Sequence, residues 1–545
     1  MQSNGVFLRQ NVMVEPLCNQ WYAWSHLISP ATAAMNVANS HIRIMQSFVS
    51  APQTHISAVK NPAMRGGPFI DHDSARVNEI KLLLDKTLRE QKHMLEFAAA
   101  YKELVSHLSL EADGYSLEGM YSSVPDILKG YVELVYDLDD HPSVRFIEGL
   151  LYRSPYYCES SQSLTLSLIN SDQRPFVFST PRLDEEDKLH LTLPFKFDGL
   201  DELFKMVYVA QPYERIKEML NINDADDALF SSFFTDEVPR KSPPPEGSSI
   251  RFRYFGHACV LVETANVSLL FDPVISYRYE NGIFRYPYVE LPDVIDYVII
   301  THNHQDHVML ETLLQLRHKV NNVIVPKSNG GSLADPSLKL ALQQIGFKNV
   351  SEVDEMEEIG IPGGRIIALP FFGEHSDLNI RCKSAYLVLM GDTSILCVAD
   401  SNNIEPRLYE HLREIVGELD LLCLGMECDG APLSWLYGPY LTKPMSRKND
   451  QSRRLNGSDF RAGIDMVEKL APKEVYVYAM GQEPWLSYLT SLKYTEQSRP
   501  ITESSRLVSE CQSRGIKAER LFGHKELYLT SDLHTRASVK SLLLR

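Results

Sequence analysis

The spacing of hydrophobic residues in the first part of the chain predicts both helices and strands. Over residues 74–110, apolar side chains recur mostly three or four positions apart, as at Ile80, Leu84 and Leu88, which predicts one or two long amphipathic helices. Residues 163–168 and 189–193 instead alternate apolar and polar side chains, a pattern typical of half-buried strands. A mixed α+β N-terminal domain is therefore predicted.

Downstream of residue 250 the pattern changes to short apolar runs separated by helical segments and polar loops. Nine runs are predicted to be strands, at residues 252–263, 267–271, 294–301, 323–326, 366–370, 385–389, 395–399, 421–424 and 474–478. The rhythm is typical of an α/β fold in which two sheets pack face to face between layers of helices, an αββα sandwich.

A proline-rich segment separates the two patterns. Three consecutive prolines, Pro243 to Pro245, lie within it, and proline offers no backbone donor and disfavours helix. We therefore predict an N-terminal domain at 1–240, a linker at 241–249 and a catalytic domain at 250–545.

Composition and charge narrow the functional classes. The chain has 44% hydrophobic and 23% charged residues, which is typical of a globular protein with a sizeable core. Its formal charge of −17 disfavours binding to nucleic acid or to acidic membranes. A local basic patch that docks an acidic partner remains compatible with this global charge.

The cysteines and the N-terminus point to the cytoplasm. The eight cysteines show no CxxC spacing, and several lie in apolar runs, as Cys397 does, so reduced core thiols are predicted. The opening residues carry no basic segment followed by an apolar stretch, and nowhere do about 18 apolar residues run together. No membrane segment is expected.

The strongest chemical signal is a group of metal-ligand side chains after the run 298–300. His302, His304, Asp306 and His307 fall within six positions. In extended chain, residues two apart share a face, so His302 and His304 are expected to bind one ion. Asp306 and His307 then lie beside a second ion, and two neighbouring metals jointly polarise an oxygen species.

This HxHxDH motif resembles that of the metallo-β-lactamase superfamily. Residues 254–259 followed by 269–273 resemble its opening hairpin, with Asp272 near the metals, and Asp400 within 397–401 occupies the place of an aspartate that bridges both metals. The resemblance extends from about residue 250 onward. It implies a dinuclear metal site at the end of the predicted sheets.

One departure from the superfamily pattern changes the predicted metal. Where many of its hydrolases have a histidine, this chain has Glu374 followed by His375, and either is a candidate ligand. A carboxylate makes the site harder and more anionic, which favours iron or manganese over zinc.

Glutamate at this place resembles the branch of dinuclear-iron β-hydroxylases that acts in chloramphenicol biosynthesis on an amino acid carried by a nonribosomal peptide synthetase. That resemblance implies that His302, His304 and Glu374 bind one iron, that Asp306 and His307 bind the other, and that Asp400 bridges them. It also implies dioxygen and an electron donor as co-reactants, and an N-terminal domain that serves homodimerisation or carrier docking.

The roles of several further residues are not decided by the sequence. The last ligand of the second metal has three candidates, Gln482, Glu483 and His524, and the sequence does not choose among them. Alternatively, this position is open to solvent or dioxygen. Secondary candidates for the pocket wall are the carboxylates Glu427 and Asp429 and the aromatic residues Trp435, Tyr437 and Tyr440. His26, within the aromatic cluster at 21–26, is more typical of a core residue than of a catalytic one.

Two enzyme classes fit these residues. The leading hypothesis is a dinuclear iron oxygenase that hydroxylates a carrier-bound amino acid or a related small molecule. The alternative is a dinuclear hydrolase of an ester, lactone or phosphodiester, since a metal pair also lowers the pKa of a bound water. The motif is shared by both, and Glu374 favours the oxygenase.

Overall fold

The computed structural model describes residues 5–247 and 249–529. The N-terminal part combines helices with a small antiparallel sheet, as its mixed pattern predicted. Its strands are β1 (Phe7–Leu8), β2 (Val12–Cys18), β3 (Trp21–Tyr22), β4 (Val132–Tyr136), β5 (Pro142–Phe146), β6 (Gln162–Leu168), β7 (Leu189–Leu191) and β8 (Phe234–Thr235). Strands β3-β2-β6-β7 form the sheet, in that order.

Ten α-helices surround this sheet within the described residues. They are α1 (Ser25–Ile28), α2 (Pro30–Asn36), α3 (Ile42–Ser50), α4 (Pro52–Val59), α5 (Val77–Glu90), α6 (Lys92–Glu111), α7 (Glu148–Leu151), α8 (Asp198–Lys205), α9 (Tyr213–Met219) and α10 (Asp227–Ser232), with a π-helical turn at Val37–His41. Helices α5 and α6 are the amphipathic pair predicted over residues 74–110, and their apolar faces pack into one core.

The C-terminal part is an αββα sandwich, so the predicted fold is confirmed. The strands are β9 (Ile250–Gly256), β10 (Cys259–Glu263), β11 (Ser268–Phe271), β12 (Ile295–Ile299), β13 (Val320–Pro326), β14 (Val350–Val353), β15 (Glu358–Ile361), β16 (Gly364–Leu369), β17 (Ala385–Met390), β18 (Thr393–Cys397), β19 (Leu421–Gly425), β20 (Ala431–Pro432), β21 (Arg454–Leu455), β22 (Glu474–Tyr478), β23 (Lys517–Arg520) and β24 (Lys525–Leu529). One sheet has the order β14-β13-β12-β11-β10-β9-β24 and the other β15-β16-β17-β18-β19-β22-β23.

The helices of this part are α11 (Leu310–Leu316), α12 (Leu338–Gln344), α13 (Arg407–Val416), α14 (Leu433–Tyr437), α15 (Arg447–Ser452), α16 (Phe460–Leu470), α17 (Ser487–Thr490) and α18 (Arg499–Ser513). Helices α11 and α12 pack on the outer face of the first sheet. Alternate residues of each strand point inward, so Val260 and Val262 meet Val388 and Ile395 between the sheets. The outer face of the second sheet packs against α13, α16 and α18.

The two parts share their cores. One apolar cluster joins β2 and β6 to α11 and to the outer face of the first sheet, so it contains residues from both sides of the proline-rich segment. Buried ion pairs reinforce this contact, because Arg174 lies 2.8 Å from Glu15 and 2.7 Å from Glu311. Between β8 and β9 the described residues form no helix or strand; Ser248, within the predicted linker, lies outside them.

None of the helices in the described ranges is both long and apolar enough to cross a bilayer. The eight cysteines are all free, and six of them are buried.

Candidate metal centre

The metal-ligand side chains meet where several strands of the two sheets end. Strand β12 stops at Ile299, slightly before the predicted end at 301, and His302 makes an isolated bridge with Lys383. The chain then turns, because the N–H groups of His307 and Val308 both donate to the His304 carbonyl, over 3.1 and 2.9 Å. This turn directs four side chains of one short segment into one place.

The loops that deliver these side chains are strained. Five non-glycine residues in them have left-handed backbone, with φ of 51° at His257, 38° at Asp272, 63° at Glu374, 45° at Ala399 and 52° at Ala479. Such conformations cost on the order of 1–3 kcal/mol each and cluster at functional sites. All five follow strands, so the folded sandwich holds the loops in place.

Two overlapping groups of side chains lie at the centre. Ligand atoms of His302, His304 and Glu374 lie within 4.8 Å of one another, and so do those of His302, His307 and Asp400. The His304 Nδ1–Glu374 Oε1 distance is 2.8 Å. Asp400 Oδ2 lies 3.1 Å from His307 Nε2 and 4.0 Å from His302 Nε2, so this carboxylate lies between the two groups.

A third group contains a histidine that the sequence interpretation did not single out. Ligand atoms of His257, Asp306 and His307 also lie within 4.8 Å of one another, and His257 Nε2 is 3.4 Å from Asp306 Oδ2. His257 belongs to the turn between β9 and β10, far from the motif in sequence. Its position directly after a buried strand was the available signal.

Hydrogen bonds outside the centre orient the rings. The Asp272 carboxylate accepts the Nδ1–H of His307 over 2.8 Å and the hydroxyl of Thr301 over 2.6 Å. Nε2 of His304 lies 3.0 Å from the Tyr437 hydroxyl. These contacts leave His307 Nε2 and His304 Nδ1 directed at the carboxylates, and such outer contacts commonly fix the tautomer of a metal-binding histidine.

The residues fit a pair of cations. His302 Nε2, Glu374 Oε2 and Asp400 Oδ1 are buried with no hydrogen-bond partner among the described residues, and buried polar atoms are rarely left in this state. Burial and the neighbouring histidines lower the pKa of His302 far below its usual value, so it is the neutral ligand form. Burial raises the pKa of Glu374 to about 7, which a bound cation offsets.

Charges also favour a cation between His307 and Asp400. Burial lowers the pKa of His307, yet the charges of Asp400 and Asp272 outweigh it and hold the pKa well above its usual value. Three histidines with three carboxylates form a harder, more anionic donor set than a zinc site of histidine and cysteine.

The other candidates lie around the centre rather than in it. His375 is buried, with Nδ1 3.3 Å from Glu374 Oε2, and it is not part of the three groups found in the described ranges. The Gln482 amide donates to the Leu521 carbonyl over 2.7 Å, and Glu483 accepts from the Tyr254 hydroxyl. His524 packs on Phe284 with ring centroids 4.3 Å apart. None of these last three belongs to those groups either.

A cavity of about 470 Å³ opens onto the centre. Its wall includes Glu427, Asp429 and Trp435, as well as Arg65 and Gly66 from the N-terminal part. Burial raises the pKa of Glu427 to about 7. The cavity therefore joins the two parts of the chain at the metal centre.

Tyr440 and His26 lie farther out. The Tyr440 hydroxyl lies 2.7 Å from His26 Nδ1 and accepts from Asn36 over 2.9 Å, so both rings belong to the packed contact between the two parts. The structure thus gives His26 a buried partner, as expected of a core histidine. A larger cleft of about 1080 Å³ lies elsewhere, lined by residues such as Phe7 and Arg278, and contains none of the metal-ligand residues.

Two family models match the two parts of the chain. Residues 7–238 match the family described as the diiron non-heme beta-hydroxylase N-terminal domain, and residues 251–395 match the beta-lactamase superfamily domain. The chain is 39% identical, over 96% of its length and 99% of the relative, to the 4-amino-L-phenylalanyl-[CmlP-peptidyl-carrier-protein] 3-hydroxylase of Streptomyces venezuelae.

Two solved structures resemble this chain over nearly its whole length. The crystal structure of CmlA, a diiron beta-hydroxylase from Streptomyces venezuelae, is 38% identical and superposes with a TM-score of 0.91 over 97% of this chain and 100% of that one. A glutamate-to-aspartate mutant of CmlA beta-hydroxylase is 37% identical, with a TM-score of 0.88 over 96% and 100%. The protein is thus a hydroxylase whose cofactor is a pair of irons, and the chain belongs to the family of diiron non-heme β-hydroxylases with a metallo-β-lactamase fold.

Proposed function

We propose that His302, His304 and Glu374 hold one iron, that Asp306 and His307 hold the other, and that Asp400 bridges them. The observation that carries this proposal is the convergence of these side chains into groups whose ligand atoms lie within 4.8 Å. The position of Asp400 Oδ2 between His302 and His307 supports a bridging role. In this assignment Glu374 and Asp400 are also the catalytic residues.

His257 orients Asp306 in this proposal and does not bind iron. Its Nδ1 accepts the backbone N–H of Gly481 over 3.1 Å, so in the neutral ring the proton is on Nε2. A protonated ring nitrogen has no lone pair for a metal, and Nε2 faces the Asp306 carboxylate at 3.4 Å. With His257 excluded, Asp306, His307 and Asp400 would hold the second iron.

When bound, the iron pair supplies reductive activation of dioxygen for oxygen insertion into a C–H bond. The chain's own residues prepare the site. Asp272 holds the proton on His307 Nδ1, and Tyr437 holds His304 by Nε2. Because the metal-binding rings are fully buried or nearly so, bulk water is kept from the reacting groups on that side.

The substrate that fits best is an amino acid carried as a thioester on a carrier protein. The 39% identical relative is named as a hydroxylase of such a carrier-bound substrate. The cavity at the metal centre, of about 470 Å³, is lined by Trp435, Leu436 and Leu455 in addition to polar groups. Such a mixed lining suits an aromatic or apolar amino acid side chain.

We assign residues 1–240 to a domain that completes the pocket, 241–249 to a linker and 250–545 to the catalytic domain. Arg65 and Gly66 of the first domain line the cavity, which supports this role. We further propose a cytoplasmic location for the enzyme. Homodimerisation stays a prediction of the sequence resemblance.

Turnover with a loaded carrier tests the function. Iron-loaded enzyme, a reductant, dioxygen and a carrier protein bearing 4-amino-L-phenylalanine are expected to give a product heavier by one oxygen atom, detected by mass spectrometry of the carrier. The Glu374→Gln variant is expected to lose at least about 100-fold in rate, since outer-shell changes alone cost 10–100-fold. Release of the amino acid without oxygen or reductant would instead identify the hydrolase.

A further inference from the structure

Cationic side chains surround the mouth of the substrate cavity. Arg65, Arg454 and Lys493 all line it, and they come from three separate segments of the chain. In the described part of the chain, the ion pairs at this rim are those of Arg499 with Asp429 and Asp459, each at 3.3 Å. Arg65, Arg454 and Lys493 take part in none of them.

Arg454 is held in place by neutral groups. Its Nε and Nη2 donate to the Asp429 carbonyl over 2.9 and 2.7 Å, and its Nη1 donates to the Gln451 side chain over 2.7 Å. The guanidinium is therefore positioned without being neutralised. A fixed, uncompensated guanidinium is well suited to bind a phosphate or carboxylate.

The positive charge continues outward along helix α15. Residues 441–454 contain five cations and one carboxylate, Asp450, in a chain whose overall charge is −17. Arg447 and Lys448 are exposed. Asp450 connects this helix to α14, which lines the cavity, because its carboxylate accepts hydrogen bonds from the Ser434 N–H and hydroxyl, each over 2.8 Å.

The hydrogen bonds of Lys443 and Arg453 do not neutralise these two side chains. Lys443 donates to the Ser109 hydroxyl over 2.9 Å, and Arg453 donates to the Ser376 carbonyl over 2.8 Å. Neither contact supplies a negative charge. A strongly acidic protein therefore concentrates unpaired cations at the entrance of its substrate cavity.

We propose that the surface formed by Arg65, Lys443, Arg447, Lys448, Arg453, Arg454 and Lys493 docks the acidic face of the carrier protein. This inference rests on the proposed carrier-bound substrate. Arg65, Arg454 and Lys493, at the mouth, bind the phosphodiester that joins the phosphopantetheine arm to its serine. The cations of α15 and its flanks bind carboxylates of the carrier domain, which attracts the partner despite the overall negative charge of the enzyme.

Binding of the carrier to iron-loaded full-length enzyme tests the surface. The probe is the phosphopantetheinylated peptidyl carrier protein of the 4-aminophenylalanine substrate, followed by fluorescence anisotropy. Reversing two charges, in Arg447→Glu with Lys448→Glu, is expected to raise the dissociation constant at least about tenfold. Affinity of the unchanged enzyme is expected to fall as salt increases.

The matched control is Lys81→Glu with Lys348→Glu, two exposed lysines outside this surface, and it is expected to bind as the unchanged enzyme does. Wild-type iron content in all variants verifies folding. No binding by the unchanged enzyme, or equal affinities of the two double variants, overturns the proposal.

A triple variant tests the phosphate contact. The unchanged enzyme is expected to bind a phosphopantetheine thioester more tightly than the pantetheine thioester that lacks the phosphate. Arg65→Gln with Arg454→Gln and Lys493→Gln is expected to abolish this preference, and equal binding of both thioesters by the unchanged enzyme overturns the contact. Failure to hydroxylate a bound, loaded carrier would contradict the proposed function. It would not contradict the docking surface, which is tested by the dissociation constants alone.

Discussion

In the proposed assignment, the hydrogen bond on the outer ring nitrogen of His257 and of His307 decides which of these two rings binds iron. His307 donates Nδ1–H to Asp272, whereas His257 accepts a backbone N–H at the same ring position. The two rings lie 4.9 Å apart, yet only the first presents a lone pair to the centre. A histidine close to a metal is thus distinguished from a ligand by its tautomer.

Two substitutions of His257 separate these roles. His257→Gln is expected to retain close to two irons per chain, because an amide N–H replaces the ring N–H toward Asp306. His257→Leu is expected to weaken iron binding by roughly 10–100-fold, as loss of an outer-shell contact does. Iron is measured by mass spectrometry after dialysis against a chelator.

His524→Leu is the matched control, since His524 packs on Phe284 and Tyr286, and it is expected to keep both irons. Equal loss of iron from His257→Gln and His257→Leu would show that His257 is itself a ligand.

At the residue scale, the sequence showed contiguous ligands best. His302 to His307 are recognisable because four ligand side chains fall in six positions. Glu374 and Asp400 were assigned through the resemblance, since no local pattern distinguishes one carboxylate after a strand from another. His257 was overlooked because a single histidine in a turn carries no such pattern.

At the scale of elements, periodicity located the strands but not their ends. Strand β22 has the predicted bounds of 474–478. The predicted strand 252–263 is instead two strands, β9 and β10, because the chain turns at His257, whose left-handed backbone ends the first. Strands β14, β15, β23 and β24 were not predicted, since each is short and partly exposed and therefore has a weak apolar pattern.

Helix α7 contacts the C-terminal part of the chain through a buried carboxylate. Glu148 at its start accepts the Ser337 N–H over 2.9 Å, and Ser337 caps α12. Burial raises the pKa of Glu148 from 4.5 to about 7. Between these values the folded protein binds more protons than the unfolded chain, so stability is fully present below about pH 4.5 and falls as the pH rises to about 7.

Glu148→Gln removes this titration. The difference in the free energy of unfolding between the variant and wild type is expected to be about 1–3 kcal/mol more favourable to the variant at pH 8 than at pH 4.5. Urea unfolding at both pH values measures the difference. Glu103→Gln, at an exposed carboxylate of α6, is expected to show no such gain, and an equal response of both variants would contradict the role of Glu148.

At the scale of the whole molecule, the two parts pack against one another despite the proline-rich segment. They share an apolar cluster, and Arg174 bridges Glu15 on one side to Glu311 on the other. The change of pattern near residue 240 predicted the two architectures, but sequence periodicity carries no information on how extensively two architectures pack together.

A cooperative unfolding transition is therefore expected. Arg174→Met leaves two buried carboxylates without this cation and is expected to lower the free energy of unfolding by about 3–5 kcal/mol. In calorimetry the variant is expected to retain one transition at a lower temperature. Arg89→Met, at an exposed pair with Glu90, is the control and is expected to shift by less than about 1 kcal/mol. Two separated transitions in wild type would contradict a single unit.

In the proposed assignment, three histidines and three carboxylates hold two irons. Metal analysis of the full-length protein, purified without added metal, tests it most directly. Close to two irons per chain are expected under this assignment, together with a clear decrease in Asp400→Ala, which removes the proposed bridge. Predominant zinc in the wild-type protein, or an unchanged iron content in that variant, would contradict it.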